Sequence, residues 1–246
     1  MTVLSGRRAL VTGGSRGIGA AIVQRLAADG ADVAFTYAAS TGPADKLRSE
    51  ISAHGGTAVA IKADSADTQQ VIAAVDSAVA ELGGLDILVN NAGVANSGLV
   101  ESFSFEMFDR MLAINVRAVF AAIQRAIPHL GAGGRIITIG SIFAEHVPRP
   151  GSAVYAMTKA AVAGLTRGLA RELGPRGITV NVVQPGPTAT DTNPDTGEFA
   201  DAMRARTAVA HYGRPEDIAS AVAYLAGPAA GFITGISWNV DGGFAA

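Results

Sequence analysis

Short apolar runs rich in valine and isoleucine alternate along the chain with longer, alanine-rich amphipathic segments. The apolar runs are residues 8–12, 32–37, 57–63, 86–90, 135–140, 178–184 and 236–240, and the amphipathic segments are 18–29, 43–54, 67–82, 104–127, 152–174 and 214–227. Strands that are buried on both faces are continuously apolar, and strand–helix alternation is typical of parallel sheets with right-handed crossovers. The pattern predicts an α/β fold: one doubly wound, Rossmann-type parallel sheet of seven strands with six helices on its two faces.

One segment interrupts this alternation. Residues 185–212 are rich in Pro, Thr and Asp and are too long for a plain connection, so they are predicted to form a substrate lid or a mobile loop. No repeat, low-complexity tract or linker divides the remainder, and 246 residues suit one large domain. We therefore expect residues 1–246 to form a single domain with its ligands outside the carboxyl ends of the strands.

Composition narrows the possible functions. The net charge is −2 and no block of lysine or arginine is present, which argues against nucleic-acid and membrane-surface partners. The absence of cysteine excludes disulfides and thiolate metal sites. Arg7 and Arg8 lie inside the first apolar run, where a signal peptide would carry them ahead of it. No uncharged apolar stretch reaches the roughly 18 residues that a membrane span needs. We expect a cytoplasmic protein.

A glycine-rich turn follows the first predicted strand and leads directly into a helix. Its sequence is Thr12-Gly13-Gly14-Ser15-Arg16-Gly17-Ile18-Gly19. Glycines let the backbone approach a pyrophosphate closely, and a helix N-terminus offers unpaired N–H groups and the positive end of a dipole. The G-x-x-x-G-x-G spacing is a variant of a dinucleotide fingerprint. A tight loop without a ligand could have this composition, but its position between the first strand and the first helix favours a dinucleotide site.

The end of the second strand indicates which dinucleotide is preferred. NAD-binding sheets usually place an acidic residue there, on the ribose 2′-hydroxyl, whereas this strand ends without a carboxylate. Arg16 in the glycine-rich turn and Ser40 after the strand can instead donate hydrogen bonds to a 2′-phosphate. The alternative is that Arg16 is a solvated loop residue. We expect NADP(H) as the cofactor.

Further polar and glycine motifs follow the later strands, and together they resemble a known family. Asn90-Asn91-Ala92-Gly93 follows the fourth strand, Ser141 the fifth and Pro185-Gly186 the sixth, while Asn115 lies within the helix before the fifth strand and Tyr155 and Lys159 lie on the helix after it. This set resembles the classical branch of the short-chain dehydrogenase/reductase family over essentially the whole chain. The closest likeness is to the 3-oxoacyl reductase and ketoreductase group, and the ending Asp241-Gly242-Gly243 fits it. The segment between Ser141 and Tyr155 departs from the group, so the group's substrate preference is not carried over.

The resemblance implies a ketone reductase with a catalytic set of Asn115, Ser141, Tyr155 and Lys159. Tyr155 would be the general acid, Ser141 would hold the carbonyl oxygen, and Asn115 would hold a water that links Lys159 to solvent. Tyr155 and Lys159 are four residues apart, on one helix face. An ammonium about 4 Å from the phenol would lower its pKa by up to about three units from the usual value near 10. The alternative for Asn115 is a buried structural amide.

The resemblance also implies the cofactor contacts and the assembly. Besides Gly13, Ser15, Arg16, Gly17, Ile18 and Gly19, the expected contacts are Tyr37, Ser40, Asp64, Ser65, Asn91, Ala92, Gly93, Tyr155, Lys159, Pro185, Gly186, Thr188 and Thr190. Lys159 would bond the nicotinamide ribose, and Thr188 and Thr190 would contact the carboxamide and the pyrophosphate, although Thr192 competes for these roles. Asp64 would accept from the adenine amino group, and its alternative role is the N-cap of the next helix. The tail 235–246 would close the sheet edge and contribute to a homotetramer.

Other chemistries fit the sequence less well. The four histidines have no metal-ligand spacing, so no metal is expected. A serine hydrolase would need a G-x-S-x-G motif, and Phe143 replaces the last glycine after Gly140 and Ser141. A nucleotide-binding regulator with little turnover remains the alternative to a reductase with a small-molecule carbonyl substrate. The sequence does not identify the substrate or the stereochemistry of the product.

Overall fold

The computed structural model describes residues 2–246, which contain one seven-stranded parallel sheet. Its strands are β1 (Arg8–Val11), β2 (Asp32–Tyr37), β3 (Ala58–Lys62), β4 (Ile87–Asn90), β5 (Arg135–Ile139), β6 (Thr179–Pro185) and β7 (Ser237–Val240). They lie side by side in the order β3-β2-β1-β4-β5-β6-β7, and every neighbouring pair is parallel. The order reverses between β1 and β4, which is where a doubly wound sheet opens a crevice for ligands. The predicted fold class is confirmed, and each strand lies within about one residue of its predicted bounds.

Eight α-helices cover the sheet in the described residues. They are α1 (Gly17–Ala28), α2 (Thr41–Ala53), α3 (Thr68–Leu82), α4 (Phe105–Leu112), α5 (Ala118–Ala126), α6 (Ala153–Leu173), α7 (Glu198–Arg204) and α8 (Pro215–Ala226). Two features differ from the sequence prediction. The segment predicted as one helix over 104–127 contains a π-helical turn, Ala113–Arg117, between α4 and α5. The lid region 185–212, predicted to be irregular, contains the short helix α7.

Alternate residues of each central strand enter two separate apolar layers. In β1, Ala9 and Val11 pack with α1, α2 and α8, whereas Leu10 packs with α3, α5 and α6 on the other face. All three side chains are fully buried. Because both faces are covered, the strands are continuously apolar, and this explains why their positions were predictable.

A third, smaller cluster joins the lid to the C-terminal tail. Ile142, Ala200, Met203, Tyr212 and Phe244 are buried together, away from the two main layers. The tail also supplies β7, which pairs with β6 at one edge of the sheet, as predicted. The lid is therefore attached to the body through apolar contacts of α7 and Phe244.

One helical stretch, Phe105–His129, has the length and mean hydropathy (1.2) of a membrane span, and 50% of its most apolar part is buried inside the fold. This is weak evidence for a span, because a core helix meets the same criterion.

Candidate active site

The glycine-rich turn is clamped to the end of β4 by hydrogen bonds. The Thr12 hydroxyl oxygen accepts from the main-chain N–H groups of Asn91 and Ala92, at 3.0 and 3.1 Å. The Asn91 side-chain amide donates to the carbonyl oxygens of Thr12 and Gly13, at 3.0 and 2.9 Å. Asn91, predicted to lie along the cofactor, therefore also fixes the shape of the turn.

The backbone of this turn is packed too closely to accept side chains at Gly13 and Gly19. Gly13 and Gly17 have φ of +64° and +53°. A Cβ on Gly13 would lie 3.0 Å from Ala92 Cα, and one on Gly19 would lie 2.2 Å from the Gly13 carbonyl oxygen. Helix α1 begins at Gly17, and no side chain hydrogen-bonds to its first-turn amides from the N-cap residue Arg16. The turn thus has the close backbone and free helix N-terminus that a pyrophosphate requires.

The region beyond β2 lacks negative charge. Arg16 is exposed, and Ala38 and Ala39 follow Tyr37 where an acid would stand in an NAD site. Ser40 is the N-cap residue of α2, yet its hydroxyl makes no capping hydrogen bond. A guanidinium and a hydroxyl are therefore both available on this side of the turn, and no carboxylate at the strand end opposes a 2′-phosphate.

Asp64 does not cap α3. The N-cap is Asp67, whose Oδ1 accepts from the N–H groups of Gln69 and Gln70 at 2.9 and 3.3 Å. Asp64 instead accepts from Ala66 N–H through Oδ1 at 2.9 Å, in a tight turn after β3 that also holds Ser65. The capping alternative for Asp64 is wrong, and its place in the adenine site stays a prediction.

Ser141, Tyr155 and Lys159 converge beyond the end of β5. Ser141 is buried, and its Oγ accepts from Phe143 N–H at 3.2 Å. The Tyr155 ring packs edge-on against Phe143, with ring centres 5.8 Å apart. Lys159 Nζ lies 5.8 Å from the Tyr155 ring centre and donates to the carbonyl oxygen of Ile139, the last residue of β5, at 2.9 Å.

The charge states of this group differ from the sequence expectation. Burial raises the pKa of Tyr155, and the hydrogen bond from Ser141, which acts in the opposite direction, does not cancel the effect. Burial also lowers the pKa of Lys159 to about 8. The predicted lowering of the tyrosine pKa by Lys159 is therefore wrong for this structure. The loss of hydration around the phenolate outweighs the attraction of a lysine whose own charge is destabilised.

Asn115 is held by hydrogen bonds on the π-helical turn. Its Oδ1 accepts from Val94 N–H at 2.9 Å, and its Nδ2 donates to the Val94 carbonyl at 2.8 Å and to Thr158 Oγ1 at 3.1 Å. A Cβ at Gly93 would lie 3.5 Å from both Asn115 Oδ1 and Lys159 Nζ. Asn115 is thus beside Lys159, but both of its amide protons are used. A water held here would therefore donate to Asn115 Oδ1, which accepts one further bond, or bond a main-chain group of this turn.

The sequence analysis did not identify Thr158 as a residue of the site. It is fully buried, and its hydroxyl donates to the Tyr155 carbonyl at 2.8 Å while accepting from Asn115. It links the π-helical turn to α6 directly beside the catalytic pair. The sequence does place this hydroxyl residue three positions after Tyr155 and next to Lys159. Helices often carry threonine on a solvated face, so the position alone does not predict a role in the site.

The lid segment lies over the glycine-rich turn. Thr188 is buried and donates its hydroxyl to the Gly186 carbonyl at 3.0 Å. Thr190 exchanges two main-chain hydrogen bonds with Asn193, and a Cβ at Gly17 would lie 3.4 Å from the Thr190 methyl group. This places Thr190 nearest the predicted pyrophosphate position and Thr188 beside the Pro185-Gly186 bend.

A cleft of about 170 Å³ opens beside the side chains of Ser141 and Tyr155. Its lining consists of Ser141, Ile142, Phe143, Tyr155, Pro185, Gly186, Pro187, Asn193, Phe199, Met203 and Tyr212. The aromatic and methionine side chains of this wall were not singled out by the sequence reading, because nothing local distinguishes them from core residues. A larger, open groove of about 580 Å³ along α8 and β7 contains none of the predicted catalytic residues.

Comparison with known proteins places this geometry among oxidoreductases. Residues 13–245 match the family model described as enoyl-(acyl carrier protein) reductase. The chain is 45% identical to the cyclic-di-GMP-binding biofilm dispersal mediator protein of Escherichia coli K12, over 100% of both chains. It is 41% identical to the 3-oxoacyl-(acyl-carrier-protein) reductase FabG of Staphylococcus aureus Mu50, covering 96% of this chain and 97% of the relative. A short chain dehydrogenase from Burkholderia cenocepacia J2315, solved in complex with NADP, is 53% identical with a TM-score of 0.97, covering 99% and 100% of the two chains.

Proposed function

The chain belongs to the short-chain dehydrogenase/reductase family of oxidoreductases, and we propose that it is an NADPH-dependent ketoreductase that converts a ketone to a secondary alcohol. The observation that carries the proposal is the convergence of Ser141 and Tyr155 on one cleft, with Lys159 behind them. Two hydroxyl groups on one wall of the cleft can both donate hydrogen bonds to a single carbonyl oxygen. The family model is named for enoyl reduction, in which charge also develops on an oxygen, that of the thioester enolate, and it is the 41% identity to a 3-oxoacyl reductase that favours the ketone.

NADP(H) fits the residues of the proposed cofactor site. The glycine-rich turn has the backbone approach for a pyrophosphate, and a side chain at Gly13 or Gly19 would displace the turn through contact with Ala92 or with the Gly13 carbonyl. Arg16 and Ser40 would hold the 2′-phosphate. The Burkholderia cenocepacia relative was solved with NADP, which supports the same cofactor here. When bound, NADPH supplies the hydride that is added to the carbonyl carbon.

Tyr155 supplies the proton. As the carbonyl carbon is reduced, the Tyr155 hydroxyl gives its proton to the carbonyl oxygen, and the product is the alcohol. The raised pKa of Tyr155 keeps this hydroxyl protonated at neutral pH, as an acid requires. Ser141 Oγ accepts from Phe143 N–H, and its proton, which bonds Tyr155 in this structure, would turn to the carbonyl oxygen as negative charge develops there.

Lys159 would position the cofactor and return a proton to Tyr155. Its ammonium is held by the Ile139 carbonyl, and Asn115 and Thr158 fix the helix turns around it. With a pKa of about 8, Lys159 exchanges protons near neutral pH far more readily than an exposed lysine.

Steady-state measurement of NADPH oxidation tests the proposal. The panel should span 3-oxoacyl thioesters and small aryl and aliphatic ketones, because the cleft is short and its outer wall is formed by the lid. Turnover of at least one class, with the alcohol identified by mass spectrometry, is the expected result. Tight NADPH binding without turnover of any carbonyl compound would contradict it.

A nucleotide-binding regulator is the second candidate. The 45% identical Escherichia coli relative is named for cyclic-di-GMP binding, which is the observation in its favour. Calorimetric titration with cyclic-di-GMP, alone and with NADPH present, separates the two functions. A regulator binds the dinucleotide tightly and shows negligible turnover, whereas a ketoreductase turns over ketones whether or not cyclic-di-GMP binds.

We further propose a cytoplasmic homotetramer. Strand β7 is an open sheet edge beside exposed Tyr224 of α8, and a second apolar face carries exposed Phe105 and Phe120 of α4 and α5. Two separate apolar faces suit the two kinds of contact in a tetramer with dihedral symmetry. Light scattering coupled to gel filtration measures the mass, and a monomer at micromolar concentration would contradict the assignment.

A further inference from the structure

Tyr212 has a buried hydroxyl group without a hydrogen-bond partner. The residue is 6% exposed, and no described residue pairs with its hydroxyl. Its side chain lines the same cleft as Ser141 and Tyr155. Buried hydroxyl groups in native proteins are almost always hydrogen-bonded, because leaving one unpaired forfeits its hydration. Four other buried side-chain atoms are also unpaired in the described residues, but Tyr212 is the one of these residues that lines the cleft, where a ligand can supply the partner.

The polar groups around Tyr212 are already engaged. The Arg204 guanidinium carbon lies 5.9 Å from the Tyr212 ring centre, and its nitrogens bond Asp201 Oδ1 and the Asp195 carbonyl, each at 2.5 Å. Asn193 also lines the cleft, and its side-chain amide donates a hydrogen bond to the Thr188 carbonyl oxygen. None of these groups bonds the Tyr212 hydroxyl in this structure. Burial raises the pKa of Tyr212, so the group remains a neutral donor.

The remainder of the cleft wall near the lid is apolar. Ile142, Phe143, Phe199 and Met203 line it, and Tyr212 is the polar residue among them that has no partner. Its volume, about 170 Å³, is close to that of an engineered cavity of roughly 150 Å³ that binds benzene. In such a small apolar site one placed donor decides how a ligand is oriented.

We propose that Tyr212 is a specificity-determining residue that donates a hydrogen bond to a second oxygen of the substrate. The preferred substrates are then small ketones with another acceptor near the carbonyl, such as diketones and keto esters. Ser141 and Tyr155 bind the oxygen that is reduced, and Tyr212 binds the one that is not. This inference rests on the proposed ketoreductase function.

The test compares Tyr212→Phe with the parent on two activated aryl ketones, methyl benzoylformate and trifluoroacetophenone. Only the first has a second carbonyl oxygen. A lost neutral hydrogen bond lowers kcat/KM by roughly 3- to 10-fold for methyl benzoylformate, while trifluoroacetophenone changes by less than about twofold. NADPH affinity stays the same. Ser49→Ala, which removes a hydroxyl group from the exposed face of α2, is the control and changes neither substrate.

Thermal melting supplies a second readout. Removal of an unpaired hydroxyl leaves Tm unchanged or raises it, so Tyr212→Phe is expected to fold. A lowered Tm with equal losses on the two ketones would mean that the hydroxyl bonds another group of the lid, and it would overturn the inference. Equal losses at unchanged Tm would overturn it as well. Failure of the parent to reduce methyl benzoylformate, while another ketone of the panel is turned over, would overturn this inference and leave the proposed function standing.

Discussion

Lys159 lies behind the ring of Tyr155, with its ammonium nitrogen 5.8 Å from the ring centre and hydrogen-bonded to the carbonyl of Ile139. The two side chains are four residues apart on α6, so the helix fixes their relation. The lysine ammonium thus contacts the buried end of β5 as well as the tyrosine ring. This arrangement leads to different expectations for the two residues.

Tyr155→Phe should abolish turnover and nearly preserve NADPH affinity. The hydroxyl is needed only when charge develops on the carbonyl oxygen, so its loss should appear in kcat. Initial rates and a fluorescence titration with NADPH provide the two measurements, with Ser49→Ala on the exposed face of α2 as the control. Residual activity within about tenfold of the parent would contradict the role of Tyr155 as the acid.

Lys159 should give the free energy of unfolding a specific pH dependence. Its pKa is about 8 in the folded chain and 10.5 for the free side chain, so the unfolded chain binds more protons between these values. The free energy of unfolding therefore rises with pH across that window. Below pH 8 it is lower, by up to about 3 kcal/mol, than it is above pH 10.5.

Lys159→Met removes this dependence. Urea unfolding of the parent and the variant from pH 7 to 9.5 should show that the variant's relative stability falls as the pH increases. Lys46→Met, at an exposed position on α2, is the control and should show no such trend. A constant difference between the parent and Lys159→Met would mean that the buried ammonium keeps an ordinary pKa.

Arg16→Ala should reduce the preference for NADPH over NADH. If Arg16 and Ser40 both bond the 2′-phosphate, the preference is roughly 2 to 4 kcal/mol, or about 30- to 1,000-fold in kcat/KM. Arg16→Ala should remove most of this preference by lowering kcat/KM with NADPH and leaving kcat/KM with NADH nearly unchanged. Ala38→Asp should reverse the preference, because its carboxylate repels the 2′-phosphate. Arg48→Ala on α2 is the control. Equal use of both cofactors by the parent would show that Arg16 is a solvated loop residue.

Gly19→Ala and Gly168→Ala should have opposite effects on stability. A Cβ at Gly19 would lie 2.2 Å from the Gly13 carbonyl and 2.5 Å from Asn91 Nδ2, so the glycine-rich turn must shift, at a cost of about 1–3 kcal/mol. Gly168 lies inside α6 with open space around it, so alanine should stabilise the helix by up to about 1 kcal/mol. Chemical denaturation measures both. An unchanged free energy of unfolding for Gly19→Ala would contradict the close packing of the turn.

The lid should be the first site of proteolysis. Residues 194–199 are exposed, and α7 is attached mainly through Ala200 and Met203. Brief digestion with a protease of broad specificity, followed by mass spectrometry, should give a first cut within 185–212. NADPH and a ketone together should slow it. A first cut elsewhere, or no protection, would argue against a lid.

The sequence by itself determined the features that depend on local pattern. Predominantly apolar runs predicted all seven strands, because both faces of the sheet are covered and most strand side chains are buried. The glycine-rich turn was recognisable because Gly13 and Gly17 adopt positive φ, which other residues rarely do. Helical spacing placed Tyr155 and Lys159 on one face.

Only the tertiary structure decided what depends on residues far apart in the chain. The link from Asn115 to Thr158 crosses 43 positions, and nothing near either residue predicts it. The partnerless hydroxyl of Tyr212 depends on how the lid packs. The pKa of Tyr155 was predicted in the wrong direction, because charge proximity can be read from spacing but the loss of water cannot. Burial is a property of the whole fold, and it is the burial of this site that sets its charges.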